Sequence, residues 1–172
     1  MAAVPGPVAG SPGRVVRRLR SHAIWELVNV PLQAGIWFAV AGLPATAANL
    51  VGFGLLAALL VQGAGYWLAK LRQLRLRRGG LPGIGYFRVL RVVNVPLLAA
   101  GLAVTGYAVA SGPGAGSWPG LGFALFATVE YVNYFWLQLM HDTAADLRRL
   151  RSVGLRPSHL ARDLRRAAGA AA

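Results

Sequence analysis

Trp25-Glu26-Leu27-Val28-Asn29-Val30-Pro31-Leu32 returns almost intact as Leu90-Arg91-Val92-Val93-Asn94-Val95-Pro96-Leu97. A weaker echo pairs Val51-Gly52-Phe53-Gly54-Leu55 with Leu121-Gly122-Phe123-Ala124-Leu125, and Trp136 answers Trp67. The chain therefore reads as one helical hairpin written twice, with repeat one at about 21–72 and repeat two at about 86–148. Both copies of the leading block are strongly apolar, and each carries one charged residue, Glu26 in the first and Arg91 in the second.

Composition says which solvent such hairpins need. Of 172 residues 56% are hydrophobic and only 13% charged, and the mean hydropathy is +0.51. A soluble domain of this size lacks the volume to hide so much apolar surface, so the bilayer is the natural surrounding. Eighteen Lys and Arg against five Asp and Glu give a formal charge of +13. Those bases cluster beside long apolar runs, a placement that suits anionic lipid headgroups and argues against nucleic acid. The absence of Cys excludes disulfides, thiolate catalysis and Cys-ligated metal centres. Usage rich in Arg, Ala, Gly and Leu but holding a single lysine, Lys70, points to a GC-rich bacterial coding bias and so to a bacterial plasma membrane.

Taken in order, residues 1–20 read as a disordered basic tail. Four apolar spans follow, at about Ala23–Gly42, Ala47–Ala69, Tyr86–Ala110 and Leu121–His141, each near the 20 residues a crossing helix requires. The first also has the layout of a signal peptide with Ala45-Thr46-Ala47 as cleavage site. Its length, its acid, amides and proline, and its recurrence downstream favour a retained helix. Residues 21–152 thus form a four-helix transmembrane domain. Residues 153–172 form an amphipathic basic C-terminal tail, in which Ser158 caps a short helix with Leu160 and Leu164 on one side. Asp142–Ser152 is expected to continue span four as helix. The bases fall before span one, in the loop holding Arg72, Arg75, Arg77 and Arg78, and after span four at Arg148, Arg149 and Arg151. The two other turns hold none, so the positive-inside rule places both termini in the cytoplasm.

Polar residues inside the spans are the candidate functional groups. His22, Glu26, Asn29 and Gln33 share a face of span one. Asn94 lies on span three, Gln62 on span two, and Glu130 and Asn133 on span four. Because polar groups facing hydrocarbon go unsatisfied, the stripes are expected to converge on one intramembrane site, with Glu130 near the bilayer midplane. Glu26 and Arg91, at matching depth, are expected to form an ion pair. Pro31 and Pro96 are expected to make paired kinks at equal depth, which either frame a transport site or merely shape packing, with Asn29 and Asn94 taking the freed carbonyls in the second case. His22, His141 and Asp142 with Glu26 lack the spacing of a metal or haem site, and no nucleophile motif or P-loop is present. The expectation is no cofactor, no metal and no enzyme. Two functions remain: permeation of a small ion or solute through a homo-oligomer that uses Glu130, or a scaffold or accessory subunit whose basic face binds anionic lipid or a partner protein.

Overall fold

The computed structural model describes residues 12–139 and 156–169, and its described part is helical apart from turns and one isolated bridge. Helix α1 (Pro12–Ala34) passes without a break into a π-helical segment, Gly35–Val40. Helices α2 (Ala47–Arg75), α3 (Ile84–Ser111), α4 (Trp118–Phe135) and α5 (His159–Gly169) follow. Three helical stretches are long and apolar enough to cross a membrane: Gly13–Val40, Ala47–Arg75 and Ile84–Ser111.

The expected fourth span is not among them. Helix α4 has 18 residues and ends at Phe135, not His141. Glu130, Tyr131, Asn133 and Tyr134 in its last two turns dilute its apolar character. At about 1.5 Å per residue Glu130 lies about 8 Å from that end, so it does not sit at the helix midpoint. The chain then turns back, with Leu137 bridged to Pro157. The expected helix at 142–152, with Arg148, Arg149 and Arg151, lies outside the described residues. At the other end of the chain α1 begins at Pro12, so Arg14, Arg17, Arg18 and Arg20 ride on helix where a tail was expected. Arg72 and Arg75 likewise close α2, and Arg77 and Arg78 alone belong to the turn.

Helices α2 and α4 make the most extensive pairing and run parallel. Gly52 meets Gly120 and Gly63 meets Tyr134, while the rings of Phe53 and Phe123 stand edge to face at 5.6 Å. A Cβ at Gly52 would lie 1.9 Å from the Gly120 carbonyl oxygen, and one at Gly120 would lie 2.3 Å from that of Ala48. Only glycine lets these backbones touch.

Asn49, fully buried, ties this crossing to both turns at the charge-free end. Its amide donates to the carbonyls of Pro44 (2.8 Å) and Ala115 (2.9 Å) and accepts from the Gly120 N–H (2.8 Å). Thr46 caps α2 by accepting from the Asn49 N–H at 3.3 Å and donates to the Gly116 carbonyl at 2.5 Å.

Helix α1 lies along α2, with Phe38 on Phe53 at 5.5 Å and His22 stacked on Trp67 at 5.3 Å. It reaches α4 through Trp37 on Phe123 and through Tyr134. Helix α3 packs against both α2 and α4, with the Leu55 side chain pressed onto Gly101 and Tyr66 edge-on to Phe87. Pro31 and Pro96 both lie inside helices, but the two are accommodated differently. Four residues after Pro31 the ladder shifts to π register, with the Ala41 N–H on Ile36 O at 2.8 Å, whereas α3 remains α-helical to Ser111.

Substituting Gly52 or Gly120 by Ala should lower stability in detergent by about 1–3 kcal/mol, the usual cost of overpacking. Gly54→Ala, at a position with open space around it, should be neutral or slightly stabilising by helix propensity. Thermal unfolding of the three variants checks the contrast, and equal midpoints would contradict it.

Candidate functional site

The polar residues of the spans do not meet in one place. They divide into separate pairs, each bridging helices or closing a turn. Gln62 on α2 and Asn94 on α3 form a reciprocal amide pair, Asn94 Nδ2 donating to Gln62 Oε1 at 2.7 Å and Gln62 Nε2 to Asn94 Oδ1 at 3.2 Å. The pair uses one N–H and the oxygen of each amide. Gln33 accepts from the Trp37 indole N–H at 2.9 Å on its own helix. Asn29 stays half-buried on α1, with no side-chain hydrogen bond among the described residues.

Glu26 and Arg91 do not pair, and the packing order says why. Helices α1 and α3 each bind α2 and α4 at similar depth, so they occupy different grooves of that central pair. Glu26 Oε1 instead accepts from the Tyr134 hydroxyl at 2.5 Å. The Arg91 guanidinium lies over the Trp136 ring, 4.1 Å from its centroid. The Tyr134 ring fits its slot because residue 63 is glycine: a Cβ there would stand 2.5 Å from the phenol oxygen.

Glu130 is 4% exposed and takes its neighbour on the same helix, Asn133 Nδ2 donating to Oε2 at 3.3 Å. Asn133 Oδ1 also accepts from the Leu139 N–H at 2.8 Å, holding the chain as it leaves α4. Tyr134 and Glu130, one turn apart on α4, are both buried, and Glu26 is half-buried. Glu130 lines neither of two hollows in the bundle. The first is a narrow space beside Gln62, Gly63, Tyr66 and Tyr134. The second is a groove of about 320 Å³ between Gln33, Trp37, Leu56 and Phe123.

The C-terminal helix supplies what sequence reasoning missed. Expected as a surface tail, α5 docks on its own bundle: Leu160, Ala161 and Leu164 are buried and the helix packs on α3 and α4. Ser158 caps it as expected, accepting from the Ala161 N–H at 3.0 Å, and its hydroxyl also donates to the Tyr134 carbonyl. Asp163 faces α2, where Lys70 Nζ lies 2.8 Å from Oδ2 and the Tyr66 hydroxyl donates to the same oxygen at 2.9 Å. His159 sits edge-on to Trp67 at 6.1 Å. The available signal was Asp163 itself, a lone acid amid Arg162, Arg165 and Arg166 and hence a candidate for pairing across the bundle.

Charge is segregated along the bundle. Every described Lys and Arg lies at the end where α1 and α3 begin and α2 and α4 finish; the turns at 41–46 and 112–117 carry no charge. Among the described residues no group of three His, Asp or Glu is placed to hold a metal ion. Comparison with protein families, with characterised proteins and with solved structures finds no match to this chain.

A double-mutant cycle on Glu26→Gln and Tyr134→Phe should return a coupling of about 0.6–1.7 kcal/mol, the range for interhelical hydrogen bonds in membranes. The same cycle on Glu26→Gln and Arg91→Gln should return none, and the reverse ranking would restore the ion pair.

Burial, with Arg162 and Lys70 nearby, lowers the His159 pKa below its ordinary 6.5, while Asp163 opposes that shift. An undocked His159 therefore binds protons more readily, so docking of α5 is fully supported above about pH 6.5 and weakens as pH falls below it. A spin label on a single cysteine at Ala168 should gain mobility on acidification in wild type. It should lose that pH response in His159→Phe.

Proposed function

We propose that this chain is a non-catalytic membrane scaffold or accessory subunit whose basic end binds anionic lipid headgroups. In this reading the molecule is a duplicated hairpin with four crossings, α4 being the shortest, and both termini and the basic end face the cytoplasm. The parallel packing of α2 on α4, with Phe53 meeting its sequence echo Phe123, supports the duplication. About 27 Å of helix in α4 is close to the hydrocarbon thickness, and burial within the bundle offsets its polar residues.

The observation that carries the proposal is the segregation of charge: Arg14, Arg17, Arg18, Arg20, Arg72, Arg75, Arg77 and Arg78 are exposed at one end, beside helices whose flanks expose Ile24, Val28, Val89 and Val92. Such a body presents hydrocarbon contacts and cations at the depths where a bilayer offers acyl chains and phosphates. The polar residues of the interior serve as helix glue in this reading, since Gln62 bonds Asn94 and Glu26 bonds Tyr134 across helix pairs. Permeation through an oligomer finds less support, because Glu130 is buried against Asn133.

Micelle-purified protein should retain phosphatidylglycerol in preference to phosphatidylcholine at low salt. The joint change of Arg72, Arg75, Arg77 and Arg78 to Gln should reduce that retention at least about tenfold, given roughly 1 kcal/mol per base near an anionic surface. Equal retention of both lipids would overturn the proposal. Ion flux in proteoliposomes that disappears in Glu130→Gln would replace it with permeation.

A further inference from the structure

Arg91 stands apart from the other bases. It lies seven residues into α3, about 10 Å from the helix start, where α3 is otherwise apolar. An ionised group at that depth needs an anion or water. Among the described residues the acids are Glu26, Glu130 and Asp163, and all three are engaged elsewhere, with Tyr134, with Asn133 and with Lys70 and Tyr66 respectively. No described carboxylate therefore reaches Arg91, whose contact is the face of Trp136.

The site is nonetheless built. The Tyr131 hydroxyl donates to the Arg91 carbonyl at 2.8 Å, which fixes the α3 backbone on α4 at this level. An aromatic ring engages a guanidinium through its charge and does not use its N–H donors, so Arg91, centred 4.1 Å from the Trp136 ring centroid, keeps hydrogen-bond donors to offer an oxygen anion. Arg88, exposed one turn earlier, shares the stripe of α3 that contains Arg91, and Val95 follows one turn later at 53% exposure, beside Val92 at 68%. Along one helix face two cations thus give way to exposed branched aliphatics. A phospholipid has that order of chemistry, a phosphodiester above and acyl chains below.

We infer that Arg91, held over Trp136 and flanked by Arg88, is a discrete binding site for the phosphodiester of one membrane phospholipid, whose acyl chains run along Val92 and Val95. The inference rests on the reading of the basic end as lipid-facing, but it names a fixed, half-buried site where that reading needs only diffuse charge. The two differ in salt dependence: exposed bases are screened at high ionic strength, and a partly buried, geometrically held guanidinium much less.

Native mass spectrometry of the full chain in detergent, at low and high salt, separates them. Wild type should keep one phospholipid at high salt. Arg91→Gln and Trp136→Leu should each weaken its retention about tenfold or more, and Arg91→Lys should fall between because it keeps charge but loses the fork. The joint Gln variant of Arg72, Arg75, Arg77 and Arg78 should lose the salt-labile lipids and keep the salt-resistant one. Unchanged retention in both Arg91→Gln and Trp136→Leu, with helix content intact by circular dichroism, would overturn the site and leave the basic-end reading standing. Loss of the salt-resistant lipid in those variants, with no effect of the joint variant on the salt-labile ones, would uphold the site and remove the broader reading. Competition by inorganic phosphate alone at equal concentration would reassign the site to a soluble anion and overturn the lipid assignment.

Discussion

The backbone contact between Gly52 and Gly120 sets the distances on which the rest of the bundle depends. With no side chains between them, α2 and α4 come close enough for Asn49 to reach across and bind the Gly120 N–H and the Ala115 carbonyl. In hydrocarbon there is little hydrophobic drive to join helices, so close backbone approach and shared hydrogen bonds must supply the association. Once the central pair is fixed, two grooves exist for α1 and α3. The same pairing places Tyr134 opposite Gly63, where its hydroxyl can reach Glu26 on α1. A glycine contact at one end thus bears on which polar groups meet at the other.

Much of the architecture is visible in the chain. Apolar runs of crossing length, the charge-free turns and the block that recurs around Asn29 and Asn94 mark the existence of the first three helices and their charge-free ends, whereas at the basic end α1 starts about eleven residues before its apolar run and α2 continues six residues beyond its own. The end of α4 is harder to read, because Trp136, Leu137 and Leu139 are as apolar as what precedes them. The helix end is held by Asn133 catching the Leu139 N–H, a local contact, and by residues 156–158, which lie far along the chain. Apolar content located the membrane-length part of α1 but not its basic first turns from Pro12, and it could not foresee the π register after Gly35, since a later helix with the same proline spacing keeps α register.

The candidate site was legible only in its ingredients. Sequence spacing shows which residues share a helix face, but not which helices are neighbours. Glu26 and Arg91 matched in depth and sign, and were separated because α2 and α4 stand between them. Asn94, expected to take a proline-freed carbonyl, pairs instead with Gln62, an amide of the same donor and acceptor pattern on the neighbouring helix. Asn49 could have been recognised from Thr46-Ala47-Ala48-Asn49, a cap followed by a polar residue at the third helical position. What no spacing rule reveals is that its side chain bridges two turns more than sixty residues apart.

The docking of α5 bears on how the basic end can act. Its apolar side covers the end of the bundle, so Leu160 and Leu164 are not free to enter a membrane, and what the helix offers outward is Arg162, Arg165 and Arg166. A tail that would bind lipid by insertion if released becomes, when docked, part of a fixed charged surface. That surface is continuous with the bases of α1 and α2, because Asp163 is consumed by Lys70 and Tyr66 and no longer offsets its neighbours. Docking thus covers an apolar face and turns Asp163 onto Lys70, which leaves the net charge of the end unchanged but brings Arg162, Arg165 and Arg166 to the bundle. In the proposed lipid-facing role, the attraction to anionic headgroups would then depend on the fold of the C-terminal helix as well as on composition.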